Sequence, residues 1–148
     1  MGTRSTITFY CKDINSTREI PYVRIYQQFD GYLEGVGMKL IDWLDRKTIV
    51  NGISEYTPDI ANGPSCLVAQ YIRDFKTKAG GLYIEPITTD LSVTDYNYDV
   101  IYNPRGDFPG MNRKASECFT IRVTYGWEES PFFIGTPEEL REYILSRR

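Results

Sequence analysis

The chain has 148 residues and a formal net charge of −3, the length of one domain and enough to bury a core without metal or disulfide staples. Hydrophobic residues make up 41%, charged residues 25% and aromatic residues 14%, with 12 Tyr and no His, a composition that excludes a disordered chain and argues against a general nucleic-acid binder. Without His, the commonest general base, the commonest transition-metal ligand and every Ser-His or Cys-His nucleophile pair are excluded.

No apolar run reaches the roughly 18 residues that a membrane-spanning helix needs. The opening residues lead straight into a strand pattern without the apolar core of a secretion signal, so a cytoplasmic location is expected. Cys11, Cys66 and Cys118 are odd in number and far apart in sequence, which predicts structural thiols and no cofactor or metal site.

Thr3–Cys11 alternates polar and apolar residues as a half-buried strand does, and so does Tyr22–Phe29 after the turn-like Lys12–Pro21. The alternation turns Val23, Ile25 and Phe29 toward the core. It leaves Arg4, Arg24, Tyr26 and Gln28 together on a polar, aromatic face.

From Gly37 to about Arg46, Met38, Leu40, Ile41 and Leu44 recur at helical spacing. Thr48–Pro64 carries Asn51-Gly52, Pro58 and Asn62-Gly63-Pro64 and reads as a long loop able to close over the preceding glycine turn. Pro64 then opens a second helix with Leu67, Val68, Tyr71, Ile72 and Phe75 on one side, ended by Gly80-Gly81.

Leu82–Glu85 reads as a third strand, Tyr96–Asn103 as a fourth, and Glu117–Tyr125 as a fifth that adds Arg122 to the polar face. Between the last two, Pro104–Ser116 is a basic tip containing Arg105-Gly106-Asp107. Thr136-Pro137-Glu138-Glu139 is a capping box for a last helix, with Arg147 and Arg148 at its negative end. The order ββααβββα predicts a single α+β domain: a two-layer sandwich of a mostly antiparallel five-stranded sheet with three helices on one side. The other sheet face would then be open for a ligand or a second copy, and a homo-oligomer is expected.

The stretch around which these elements are arranged is Tyr26–Gly37, where an Asp30-Gly31 turn is followed by Tyr32, Gly35 and Gly37. Glycines admit close backbone approach, and a helix start offers unpaired N–H donors and partial positive charge to an anion. The spacing is neither Gly-x-Gly-x-x-Gly nor a Walker loop. The predicted ligand set is Arg4, Arg24 and Arg122 on phosphate, Tyr26 and Tyr32 stacking on a base, and Gln28 with Asp30 on polar edges, beside Gly31, Gly35 and Gly37. This is a non-catalytic site for a nucleotide-like small molecule. Two alternatives stand beside it. One is a hydrolase using Asp30 or Glu34 as base and Arg4 as electrostatic stabiliser. The other is an interaction subunit whose tyrosine face is only an interface.

Gly2-Thr3-Arg4-Ser5, Tyr26-Gln27-Gln28-Phe29-Asp30-Gly31-Tyr32 with Gly35 and Gly37, Asn51-Gly52-Ile53, Cys66-Leu67-Val68-Ala69-Gln70 and Gly80-Gly81-Leu82-Tyr83 together resemble a family of small proteins encoded by phages and bacteria. The resemblance implies no catalytic residues. In size and character the chain is also similar to phage proteins that sequester nucleotide immune signals, such as cyclic ADP-ribose isomers or cyclic dinucleotides. That likeness implies an anti-defence role.

Overall fold

The computed structural model describes residues 2–52, 58–105 and 109–147. Ile53 of the Asn51-Gly52-Ile53 motif, Gly106 and Asp107 of the basic tip, and Arg148 lie outside the described residues.

The main sheet has six strands: β1 (Ser5–Lys12), β2 (Glu19–Gln27), β5 (Leu82–Glu85), β6 (Tyr96–Tyr102), β8 (Phe119–Tyr125) and β9 (Phe133–Gly135). They lie in the order β5-β2-β1-β6-β8-β9. A second sheet of three-residue strands, β3 (Thr48–Val50), β4 (Ile60–Asn62) and β7 (Asn112–Lys114), runs β4-β3-β7 beside it. The helices are α1 (Met38–Asp45), α2 (Gly63–Phe75) and α3 (Pro137–Ser146). The α+β class and the three helices are as predicted; the five-stranded antiparallel sheet is corrected to a mixed sheet of six with a second of three. The main sheet's one parallel pairing is β1 with β6, because β6 arrives from the far edge strand β5 after crossing β2 and β1.

Alternation sets the two faces of the main sheet. Ile7, Phe9, Ile25, Tyr98, Val100, Ile121 and Val123 point one way and form one apolar cluster with residues of all three helices, among them Leu40, Trp43, Tyr71, Leu140 and Ile144. Full burial of each large aliphatic or Phe side chain contributes about 1.5–3 kcal/mol. Tyr71 is the hinge of the cluster, meeting Trp43 at 5.1 Å and Phe9 at 6.0 Å, both edge-on. Its hydroxyl donates to Gln27 Oε1 at 2.9 Å, so this buried phenol keeps a partner.

Local signals explain the helix ends. Thr136 Oγ1 accepts from the Glu139 N–H at 3.0 Å while Glu139 Oε1 accepts from the Thr136 N–H at 2.9 Å, the reciprocal cap predicted for α3. Helix α2 stops at Phe75, ahead of Gly80-Gly81. Those two glycines instead take φ of +78° and +80° in the turn into β5.

The Thr48–Pro64 loop is also corrected. Its described ends are β3 and β4, paired side by side and parallel, with β7 on the other side. They are fixed by Lys47, which is buried at 2% exposure and donates to Pro58 O at 2.9 Å, Asp74 Oδ2 at 2.9 Å and Asp59 Oδ1 at 3.2 Å. Trp43 Nε1 donates to the same Asp74 oxygen at 2.8 Å. Burial alone would push the Asp74 carboxyl up. Hydrogen bonds from Arg73, Trp43 and Lys47, with the Lys47 charge, outweigh it and hold the group below the ordinary carboxylate range.

A carboxylate whose folded pKa is depressed stabilises the fold above its unfolded pKa and loses that contribution as the pH falls toward the folded value. Asp74→Asn is therefore expected to destabilise the protein by about 1.5–3 kcal/mol at neutral pH in urea denaturation, because the buried Lys47 ammonium loses the closer of its two carboxylates and keeps only the exposed Asp59. The variant should also lack the wild type's fall in stability below about pH 4.

Candidate ligand-binding site

The Asp30 bend is built from the inside. Asp30 sits at φ +58°, its carbonyl accepts from the Val36 N–H at 2.8 Å, and Tyr32 O accepts from the Gly35 N–H at 3.0 Å. The Gly31 N–H donates to Thr3 O at 2.9 Å, and Gly31 O accepts from the buried Tyr98 hydroxyl at 2.8 Å. A Cβ on Gly31 would come within 2.7 Å of Ser5 Cβ and one on Gly35 would overlap the Asp30 carbonyl, whereas one on Gly37 would meet the Tyr98 hydroxyl at 3.4 Å, an ordinary contact. Residues Leu33–Gly37 form a wide π-type turn that runs into α1. The N–H groups of Gly35, Val36 and Gly37 all donate to Tyr32 O or Asp30 O. The expected backbone cradle for an anion is thus corrected: glycine is required here for chain-on-chain packing, and these donors are already taken.

The three arginines share the sheet face but not a site. Register places Arg24, Thr8, Asp99 and Arg122 in one row across β2, β1, β6 and β8. The face is not open, because the connection from Pro86 to Thr94 lies across it. Arg24, 5% exposed, donates through Nε to Thr8 Oγ1 and through Nη1 to Thr89 O, both at 2.8 Å. Asn97 Nδ2 donates to Leu91 O at 3.0 Å, and Thr6 and Thr94 hydroxyls both donate to Asn97 Oδ1. Arg122 donates to Asp99 Oδ2 at 2.9 Å and Glu19 Oε1 at 3.0 Å. Burial pushes the Asp99 carboxyl up, and its Arg122 partner offsets part of that.

Three hollows divide the remaining predicted residues. Arg4, Tyr26 and Gln28 line one of about 330 Å³ together with Gly2, Phe29 and Asp95. Asp30, Tyr32, Glu34 and Gly35 line another of about 450 Å³ with Lys39 and Phe75. Arg122 lines a third of about 620 Å³ whose other charged walls are Asp90, Asp99, Glu128 and Glu129, with Trp127 at the rim.

The first hollow has the donors for an anion attached to a ring. Among the described residues no carboxylate lies within ion-pair distance of the Arg4 guanidinium, and the Asp95 carboxylate accepts from the Arg4 backbone N–H at 2.9 Å. Gln28 Oε1 accepts from the Gly81 N–H at 2.7 Å, which fixes the amide and leaves its NH₂ donors for solvent or ligand. Tyr26 is half-buried, its ring 5.9 Å from that of Tyr83. Near the second hollow, the Asp30 charge pushes the Tyr32 phenol up, and that hydroxyl donates to Asp30 Oδ1 at 3.3 Å.

Gly2, Phe29 and Asp95 are the wall residues that sequence reasoning did not assign to the site. Phe29 was expected in the core, but β2 ends at Gln27, two residues before it, and Phe29 is 53% exposed. The Asp30-Gly31 turn directly after Phe29 is the signal for this. Comparisons with protein-family models, curated proteins and solved structures return no match, so the reading of the site rests on its own residues.

Arg24→Leu should cost about 1.5–3 kcal/mol in denaturant melts, the scale of a lost hydrogen bond to a charged group. It should also expose the Pro86 to Thr94 connection to limited proteolysis. A variant as stable and protease-resistant as wild type would show that Arg24 does not hold that connection down.

Proposed function

We propose that this protein is a non-catalytic binder of a small phosphate-bearing, nucleotide-like molecule, held in the hollow lined by Arg4, Tyr26, Gln28 and Phe29. The observation that carries the reading is an Arg guanidinium that, among the described residues, has no carboxylate within ion-pair distance, in the same hollow as a half-buried Tyr ring and an amide whose oxygen is already engaged. A guanidinium pairs with phosphate through a planar fork of donors, aromatic faces accept a base, and amide N–H groups read its edge. Tyr26 lies in β2, Gln28 follows its last residue and Arg4 precedes the first of β1, so the contact groups sit on or directly beside paired strands.

Sequestration fits this site better than hydrolysis. The hydrolase reading needs Asp30 or Glu34 to act beside Arg4, and those carboxylates line a different hollow, with Asp30 accepting from the Tyr32 hydroxyl. The resemblance to small phage proteins makes a nucleotide immune signal the leading class of ligand and the host cytoplasm the place of action.

Association with a second copy is a further reading, favoured by the edges of the main sheet. Strand β5 carries Tyr83 and Ile84 at 42% and 59% exposure, and β9 carries Ile134 at 62%. Short edge strands with exposed apolar side chains are surfaces that another chain can cover.

The test is to incubate purified protein with a panel of nucleotides, wash, heat and analyse what is released. The expected result is an intact nucleotide retained by native protein, retained roughly 10- to 100-fold more weakly by Arg4→Ala, the range for one charge-assisted contact. Arg4 is exposed, so the variant should melt within about 0.5 kcal/mol of wild type. Chemically altered product would overturn the non-catalytic reading, and retention unaffected by R4A would remove the site.

A further inference from the structure

The Arg4 hollow does not stand alone. It is the first of a pair, and the second of this pair, a hollow of about 160 Å³ distinct from the 450 Å³ one and lined by Lys39, Lys78, Phe75 and the Gly80-Gly81 turn, shares Phe29 with it as a common wall. Two cations of this second hollow are held against rings: Lys78 Nζ lies 5.8 Å from the centre of the Phe29 ring and Lys39 Nζ lies 5.3 Å from that of Phe75. Among the described residues neither ammonium has a carboxylate within ion-pair distance. The Lys78 loop is itself tied down, because Lys76 Nζ donates to Gly80 O at 2.9 Å and Leu82 O at 2.8 Å.

Resting on the reading of the Arg4 hollow as a nucleotide site, we infer that its ligand carries two nucleobases joined through phosphate. One base lies on Tyr26. The other lies along Phe29 and Phe75, with a phosphate between Arg4 and Lys78 and Lys39 closing on the far side.

Three features select this class. A hollow of about 330 Å³ is at the small end for a ligand pocket and suits one nucleotide, while the adjoining hollow of about 160 Å³ gives room for one further base. Unpaired cations beside aromatic faces recur from the first hollow to the second, the pattern that tracks a base-phosphate-base ligand. The pattern then changes. The hollow of about 450 Å³ shares Asp30, Lys39 and Phe75 with the second of the pair but adds two carboxylates, Glu34 and Asp42, against one further cation, Arg46, a balance that disfavours a further phosphate. Asp30, the one carboxylate of the second hollow, accepts from the Tyr32 hydroxyl. A strip bounded in this way favours a dinucleotide over a long single strand.

The experiment is calorimetric titration of the full chain with the four 5′-mononucleotides, the matching 5′-phosphorylated linear dinucleotides and the corresponding cyclic dinucleotides. At least one dinucleotide should bind about tenfold or more tighter than its mononucleotide, the gain expected from one more stacked base. Its affinity should also fall more steeply with salt, because another phosphate displaces another counterion. The linear and cyclic arms tell which linkage is taken. Lys78→Glu should remove most of the dinucleotide advantage, and K39E supplies an independent check should K78E melt lower than wild type. Mononucleotides that bind with no dinucleotide tighter would overturn this inference and leave the Arg4 site intact. No binding in any arm would overturn both. A K78E variant that weakens mononucleotide and dinucleotide equally would overturn the second subsite. So would affinity that keeps rising with single strands of eight nucleotides, since the strip would then be an open nucleic-acid groove.

Discussion

The constraint on which the rest depends is the Asp30 bend. A non-glycine residue at φ +58° is held there by four contacts at once: Thr3 O takes the Gly31 N–H, the Tyr98 hydroxyl reaches Gly31 O, Val36 closes on Asp30 O, and Ser5 packs against the bare Gly31 Cα. Positive φ at such a residue costs energy and persists only where its surroundings over-determine it. Here the bend joins the entry of β1, the exit of β2, the middle of the sheet at β6 and the start of α1. Its position fixes where Arg4, Gln28 and Phe29 stand relative to one another, although none of the bend's own backbone donors meets the hollow. Substituting Gly35 would strike the Asp30 carbonyl directly, so the glycines act on the site through the fold.

A second constraint follows from topology. Because β6 pairs parallel to β1, the chain must cross from β5 over β2 and β1, and the helices already occupy the apolar face. The crossing therefore lies on the polar face. A polar face under a loop needs internal partners, since a buried unpaired polar group costs about 1–3 kcal/mol. Arg24, Thr6, Thr8, Thr94 and Asn97 supply them. This explains why residues that alternate correctly for an open polar sheet face are nonetheless interior, and why Arg122 turns to Asp99 and Glu19 instead of to a ligand.

The same two constraints mark what was legible in the sequence. Strands with five or more alternating residues, such as β1, β6 and β8, and the amphipathic helices announce themselves by period. The α3 cap does so by its Thr-Pro-Glu-Glu order. Strands β3, β4, β7 and β9 have three residues each, too few for any period to show, and are set by tertiary pairing alone. The parallel pairing of β1 and β6 leaves no local trace either, because strand order is not encoded in alternation. Of the site, Arg4, Tyr26 and Gln28 were visible as same-face neighbours. Arg24 and Arg122 matched the same pattern and were spent internally, a distinction that only the path of the Pro86 to Thr94 connection decides. Lys47, the second of two basic residues after a helix, gave no sign of its burial among Asp74, Asp59 and Pro58.

Charge is also unevenly shared among the hollows in a way that the net value of −3 hides. Among the described residues, Arg4, Lys39 and Lys78 have no carboxylate within ion-pair distance and stand beside exposed and half-buried rings. In the hollow of about 620 Å³, Asp90, Glu128 and Glu129 stand near the exposed Trp127, whose ring stacks at 4.7 Å on Tyr125, and the one cation among its described lining residues, Arg122, is already paired with two carboxylates. The larger hollow is thus the worse place for an anion, despite its volume and its aromatic rim. Cavity volume and the exposed Trp127 alone would favour the acidic hollow. Under the proposed function the sign of the unpaired charge, with the hydrogen-bonding capacity left over after internal contacts are counted, favours the Arg4 hollow instead.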